Sequence, residues 1–272
     1  MMVKRDSTGG MAASGAPRPA LVVAGLCAAL LTACGPAPIA TGVKDPNEAS
    51  NRQVHAFNRG LDRALLRPAA TTYSSILPEP VEQGISNFAS NLDAPGDVVN
   101  NVLQLRLGRA AENTLRFALN TTVGIGGLFD PASALGIEGD PTDFGETLHV
   151  WGMPEGTYAE VPLLGPTTDR DFIGVIVDVA ANPVRLALPE PESYYATGTK
   201  VASGLSRRAR YSDTVDSVLY ESADSYAQTR LLYLQNRRFE LGGAAGAAEE
   251  GFEDPYAAFE DPYSDFEDPY AE

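Results

Sequence analysis

Between Asp45 and about Gly242, apolar positions recur mostly at spacings of three and four, the repeat of helices with one apolar face. From Pro46 to Leu66 that face is drawn by Val54, Phe57, Leu61 and Leu65. Asp45 is placed to cap the first turn, Pro46 suits the first helical position, and Pro68 marks the stop. After Thr168, a candidate N-cap, the residues Phe172, Ile173, Val175, Ile176, Val177 and Val179 leave almost no polar face before Asn182-Pro183 ends the run. A short helix that is apolar nearly all round needs cover from protein or from lipid. A last amphipathic helix is expected over about 212–239, through Val215, Leu219, Ala223, Tyr226 and Leu234. Only His149 to Val161 reads as extended, with Gly156 at a turn. The pattern predicts a mainly α fold, one domain of many short helices broken by Pro and Gly.

The flanks of this region follow other rules. Lys4, Arg5 and Arg18 precede an apolar run from Ala20 to Leu31, the layout of a secretory signal peptide. That run is shorter than the roughly 20 residues needed to cross a bilayer. It ends on Leu31-Thr32-Ala33-Cys34, the apolar, small, small, cysteine pattern of a bacterial lipobox, which makes Cys34 the lipidation site and the first mature residue. Stable anchoring needs more than one acyl chain, and a triacylated cysteine meets that condition. The chain's other cysteine, Cys27, lies inside the leader, so the mature protein is expected to fold without disulfides. Gly35 follows in place of an aspartate that would favour inner-membrane retention, which points to the outer membrane. The expected organisation is a leader over 1–33, a lipidated Pro/Gly/Ala tether over 34–44, a helical domain over 45–242 and an acidic tail over 243–272. The tail repeats Phe-Glu-Asp-Pro-Tyr three times from Phe252. Its prolines forbid a heptad helix and its charge opposes collapse, so disorder is expected there.

The formal charge of −16 is unevenly spread. From Glu249 onward there are ten acidic residues and no basic one, whereas Cys34 to Ala248 holds 17 basic against 25 acidic residues. No basic stripe suits nucleic acid. Enzyme motifs are also poor. His55 and His149 fit no metal-ligand spacing such as H-E-x-x-H, and His55 falls near the apolar stripe of the first helix, which suits a structural role. There is no G-x-S-x-G elbow and no Walker A sequence, so directed transport would have to draw its energy elsewhere. Gly124-Ile125-Gly126-Gly127 lacks the third glycine of a dinucleotide loop, since Phe129 stands there, and it follows a helix. No catalytic residue, metal or cofactor is expected.

The chain resembles the MlaA (VacJ) family of outer-membrane lipoproteins over nearly all of the helical region. Asp45-Pro46-Asn47-Glu48, Asn51-Arg52, Phe57-Asn58, Leu61-Asp62 and Arg67-Pro68 look like its opening. Asn87-Phe88, Asn91-Leu92, Asn120-Thr121, Gly124, Gly127 and Asp130 continue in order. Asp143-Phe144-Gly145-Glu146-Thr147-Leu148 stands where the family has D-F-G-Q-T-L, with Glu for Gln. Pro162-Leu163-Leu164-Gly165-Pro166, Arg170-Asp171, Arg230 and Arg237-Arg238 complete the series, and Asp169 departs from a usually apolar position. The resemblance implies a ring of short helices within the outer membrane around a central amphipathic channel. Its implied partners are phospholipids, a soluble periplasmic lipid carrier and trimeric porins. It implies removal of stray phospholipid from the outer leaflet, which keeps the two leaflets unlike. It also places a channel gate near Asn87, Phe88, Asn120, Gly124, Gly126 and Gly127, although the glycines alone equally suit a helix terminus and turn. Two rivals stand beside it. A lipid-anchored scaffold lipoprotein would bind no lipid, and a periplasmic hydrolase would need a polar pocket with a nucleophile and a base.

Overall fold

A computed structural model describes residues 35–187, 190 and 192–243. The leader, Cys34 and the Phe-Glu-Asp-Pro-Tyr tail lie outside the described residues. From Pro36 onward the described chain belongs to one compact unit. It is mainly helical, with a single two-stranded sheet among the described residues.

The tether lies against the body, where Ala37 N donates to the His149 carbonyl at 2.9 Å and Arg238 donates to the Gly42 carbonyl at 2.8 Å. Helix α1 spans Glu48–Leu61, two residues later than expected. Asp45 is not its cap. The Asp45 carboxylate instead accepts from Asn51 (2.9 Å), Arg230 (2.6 Å) and Tyr226, which ties the start of the domain to its end. Pro68 does not stop the helix either. The chain widens into a π-turn over Asp62–Leu66 and runs on as α2, Arg67–Ile76, with the proline in the first turn, where its missing N–H is tolerated.

Helix α3, Glu79–Leu103, is long and carries Pro95 within it; α4 is Leu107–Thr122. The short helices α5, Pro131–Ala134, and α6, Phe144–Val150, are capped by Asp130 and Asp143, whose carboxylates accept from the N–H groups of Ser133 and Glu146. His149 therefore lies on a helix and not in extended chain. The extended part is smaller than expected and is a hairpin, β1 at Tyr158–Val161 against β2 at Gly165–Thr168, with Tyr158 opposite Thr168. Pro162-Leu163-Leu164 forms its turn, and the sequence reading missed β2 because Gly and Pro open it.

Helix α7, Asp169–Ala181, begins at the Thr168 cap and ends at Asn182, both as expected. It packs closely on α6, since a Cβ on Gly174 would lie 2.4 Å from the Gly145 backbone nitrogen. Helices α8, Pro183–Ala187, and α9, Glu192–Arg210, follow. The expected last helix is two pieces. Helix α10, Ser212–Asp216, continues as a π-turn to Glu221, and α11, Ser225–Arg238, restarts with its own cap, Asp224.

What these elements bury reverses the usual pattern. The fully apolar core is one cluster of Tyr158, Tyr226 and Leu234 with Tyr233 against it. Elsewhere the buried apolar residues are small, alanines and Val218, and most buried residues are polar: Asn51, His55, Glu82, Asn91, Asn100, Asn101, Asn113, Asn120, Thr147, Arg170 and Asp171 among them. Phe57 on α1 is more than half exposed, as is Leu65 on the π-turn after it, and α7 exposes Ile173, Ile176 and Val179. Periodicity located these helices, but their apolar faces turn away from the protein interior.

Candidate functional site

The polar side of α3 carries Asn87, Asn91, Asp97 and Asn101 at helical spacings, with Ala94 between them. Packed against α4, it encloses a cavity of about 320 Å³ lined by Asn87, Ser90, Asn91, Asp97, Asn113, Arg116, Asn120 and Asp130. A second cavity of about 620 Å³ shares Ser90, Asp97 and Pro141 with it and reaches Asn100, Thr142, Asp143, Asp178 and Arg207. A third, about 790 Å³, shares Asp93, Asp178 and Asn182 with the second and extends along α9 to Tyr194 and Lys200. The polar face of α3 thus fronts a run of adjoining spaces walled by α4, α7 and α9.

At one end of this run the structure brings together every residue of the expected gate. Asn87 and Phe88 sit in the body of α3, not at a corner. Asn87 donates to the Leu128 carbonyl at 3.3 Å, and Asn91 donates to the Gly126 carbonyl at 3.2 Å and the Thr121 hydroxyl at 3.0 Å. The loop after α4 is a hydrogen-bonded turn: Gly126 N reaches the Thr121 carbonyl at 2.9 Å and Phe129 N the Gly124 carbonyl at 2.9 Å. Gly127 is required twice over, by a φ of +97° and because a Cβ would meet Asn91 Cβ at 2.5 Å. Gly124 has no room either, its Cβ position lying 2.4 Å from the Phe129 carbonyl oxygen. Gly126 faces open space, with the Phe88 ring 3.8 Å from its Cβ position. Around this pinned backbone, Val123, Ile125 and Phe129 point outward and are about two-thirds exposed, at 66%, 65% and 62%.

Asn120 fixes the far side of the loop, donating to Asp130 at 2.9 Å and accepting from Ala132 N at 3.1 Å. Arg116 pairs with Asp130 and donates to the Ile137 carbonyl at 2.8 Å. Burial works against the Asp130 carboxylate, but hydrogen bonds from Ser133 and Asn120 and the Arg116 charge outweigh it and hold its pKa below the usual range. Asp97 is the opposite case. Burial pushes it up to about 7, the Thr142 N–H at 3.2 Å offsets only part of this, and Asp93, Asp178 and Asp140 repel its charge further. Burial likewise raises Asp178, despite hydrogen bonds from Phe144 N (3.0 Å) and Asn100 (3.1 Å). Asp97 and Asp178 were not singled out in the sequence; the available signal was the polar stripe of α3 at spacings of three and four.

One constellation has the geometry of a hydrolase. His55 Nδ1 lies 3.3 Å from Glu160 Oε1, and His55 Nε2 lies 3.1 Å from Ser225 Oγ. All three are buried, however, and none lines the cavities above. Arg59 also donates to Ser225 Oγ at 3.3 Å, and the Tyr226 ring packs edge-on against His55. The trio clamps α1, β1 and α11 together. Among the described residues no group of His, Cys, Asp and Glu is arranged to hold a metal ion, and no helix is long and apolar enough to cross a membrane.

Residues 43–240 match the family described as MlaA lipoprotein. The chain belongs to the MlaA lipoprotein family. It is 34% identical over 206 residues to the intermembrane phospholipid transport system lipoprotein MlaA of Escherichia coli strain K12, covering 74% of this chain and 80% of that one. The MlaA of Haemophilus influenzae is 30% identical over 229 residues, 81% of this chain and 90% of that one. An uncharacterised protein of Rickettsia typhi is 36% identical over 189 residues, 69% of this chain and 74% of its own. A solved structure described as the structural basis for maintenance of bacterial outer membrane lipid asymmetry superposes with a TM-score of 0.64 at 34% identity, over 72% of this chain and 98% of that one. The MlaA match spans α1 to α11, so it takes in the polar cavities and the glycine loop together.

Proposed function

We propose that this lipoprotein is a passive conduit through which phospholipid misplaced in the outer leaflet of the outer membrane leaves that leaflet and reaches a soluble periplasmic carrier. The observation that carries this reading is the inversion of polarity: a largely polar, hydrogen-bonded interior beside adjoining cavities bordered by both polar and apolar side chains, and large apolar side chains on the outside. Moving one such side chain from water into an apolar phase gains about 1.5–3 kcal/mol, so a surface of this composition favours lipid cover. Helices tolerate that cover because their backbone hydrogen bonds are made internally. The polar lumen solves the other half of the problem. A charged head group left unpaired in hydrocarbon costs several kcal/mol, whereas a water-filled path bordered by Asn and Asp keeps it solvated while the acyl tails stay out of water.

Asn87, Phe88, Asn120, Gly124, Gly126 and Gly127 are assigned to the gate of this path, Cys34 to the anchor, and trimeric porins to the neighbours that would hold the domain in the bilayer. The relatives named for intermembrane phospholipid transport support the same direction of argument. The buried His55–Ser225 contact lines none of these cavities, which counts against the hydrolase reading, and a scaffold lipoprotein would have no use for the cavities. Deleting the gene should increase phospholipid at the cell surface, measured with a head-group label that does not cross the membrane, and restoring it should reverse the change. Surface phospholipid at the wild-type level in the deletion strain would sink the proposal.

A further inference from the structure

The cavities are lined unequally by charge. The middle one carries the carboxylates of Asp93, Asp97, Asp143 and Asp178 and the guanidinium of Arg207. Lys200 is paired with Asp93, and Arg237 lies 2.7 Å from Asp143. Among the described ion pairs neither Asp97 nor Asp178 takes part; each accepts only neutral N–H donors. A second, independent feature of this wall asks for a donor. Asn91 is 6% exposed and lines the cavity that shares Asp97, and its Oδ1 is buried with no hydrogen-bond partner. Its amide cannot simply be reversed, because Nδ2 must donate to the Gly126 carbonyl.

From this juxtaposition we infer that the lumen selects phospholipids whose head group carries an ammonium, phosphatidylethanolamine rather than phosphatidylglycerol, with Asp97 and Asp178 as the specificity-determining residues. The inference deepens the conduit reading and rests on it. Every phospholipid brings a phosphate that the acidic wall repels, and only an amino head group brings the positive charge that offsets it. An ammonium brings three N–H donors and a positive charge to a carboxylate, whereas a glycerol head group brings only neutral hydroxyls. A divalent cation bridging wall and phosphate is the other way to satisfy carboxylates, but the described acidic groups do not converge as metal ligands do.

The full-length lipidated protein, purified in detergent, would be equilibrated with equal amounts of phosphatidylethanolamine and phosphatidylglycerol of identical acyl chains, and the retained lipid quantified by mass spectrometry. The expected result is about tenfold enrichment of phosphatidylethanolamine, the ratio given by 1.4 kcal/mol of differential binding. Asp178→Asn and the double substitution Asp97→Asn with Asp178→Asn keep shape and should bring the ratio back toward that of the mixture. Lipid retained at the input ratio by the wild type, or enrichment unchanged in both variants, overturns the selectivity and leaves the conduit standing. Magnesium-dependent retention of phosphatidylglycerol, abolished by a chelator, overturns it in favour of a bridging cation. No retained lipid of either kind overturns the conduit reading itself.

Discussion

Asn91 holds Gly126 from across the gap between α3 and the glycine loop, its Nδ2 donating to the Gly126 carbonyl at 3.2 Å. The neighbouring Gly127 has its Cβ position 2.5 Å from Asn91 Cβ. The helix and the loop are thus in direct contact at both glycines. Gly127→Val should destabilise the domain by about 2–4 kcal/mol, through a φ of +97° and overpacking on Asn91. Gly126→Ala meets open space and should cost only about 1–2 kcal/mol for its left-handed backbone. If the loop is the gate, the milder variant should still change surface phospholipid at a normal protein level. Wild-type surface lipid in Gly126→Ala and in a deletion of Asn87 and Phe88, against a clear defect in the null strain, would remove these residues from the mechanism.

Cys34→Ala should leave the protein without lipid and abolish function while the helical domain still folds, because the leader's lipobox offers no second cysteine at the cleavage point. Incorporation of labelled fatty acid is the measurement; label that survives the substitution refutes the assignment.

The His55, Glu160 and Ser225 clamp makes a distinguishing prediction. Ser225→Ala removes the hydroxyl's contacts with His55 and Arg59 and should cost about 1–2 kcal/mol, while His55→Ala removes both ring hydrogen bonds and the ring's packing on Tyr226, leaving Glu160 to Asn58 and Tyr158 and Ser225 to Arg59, and should cost about 2–4 kcal/mol. Neither loss should carry with it any esterase activity, and Ser225→Ala should complement a deletion strain fully. Failure to complement at a wild-type protein level would reopen the hydrolase reading.

Asp97 makes stability depend on pH in an unusual direction. Its folded pKa of about 7 lies above its ordinary 3.8, so the folded protein binds a proton that the unfolded chain releases. That contribution is present in full below about pH 4 and is lost as the pH rises through 7. Asp97→Asn keeps an acceptor for the Thr142 N–H and removes the penalty. It should be more stable than the wild type by about 1–3 kcal/mol at pH 8 and nearly equal to it at pH 4. Denaturant unfolding at the two pH values is the check, and a gain of the same size at both would show that the raised pKa is not its source.

The sequence by itself determined the family, the helical class and the two ends of α7, because those depend on residues close together in the chain. Thr168 caps, Asn182-Pro183 stops, and neither needs a tertiary partner to do so. It also grouped Asn87, Phe88 and the glycine loop, through resemblance and not through any local rule, and the structure brings them into contact. The direction each helix faces was decided only by the tertiary structure. Periodicity separates an apolar face from a polar one but does not say which is inside, and the rule that apolar faces turn inward presumes water outside. Here α1 buries Asn51 and His55 and exposes Phe57, and the π-turn after it exposes Leu65. Pro68 and Asp45 were misread for a related reason. A π-turn absorbs the first, and the second is claimed by Tyr226 and Arg230 from the far end of the chain. The pairing of Asp97 with Asp178 was hidden for the same reason, since the two are 81 residues apart and share a cavity wall only after α3 and α7 have folded together.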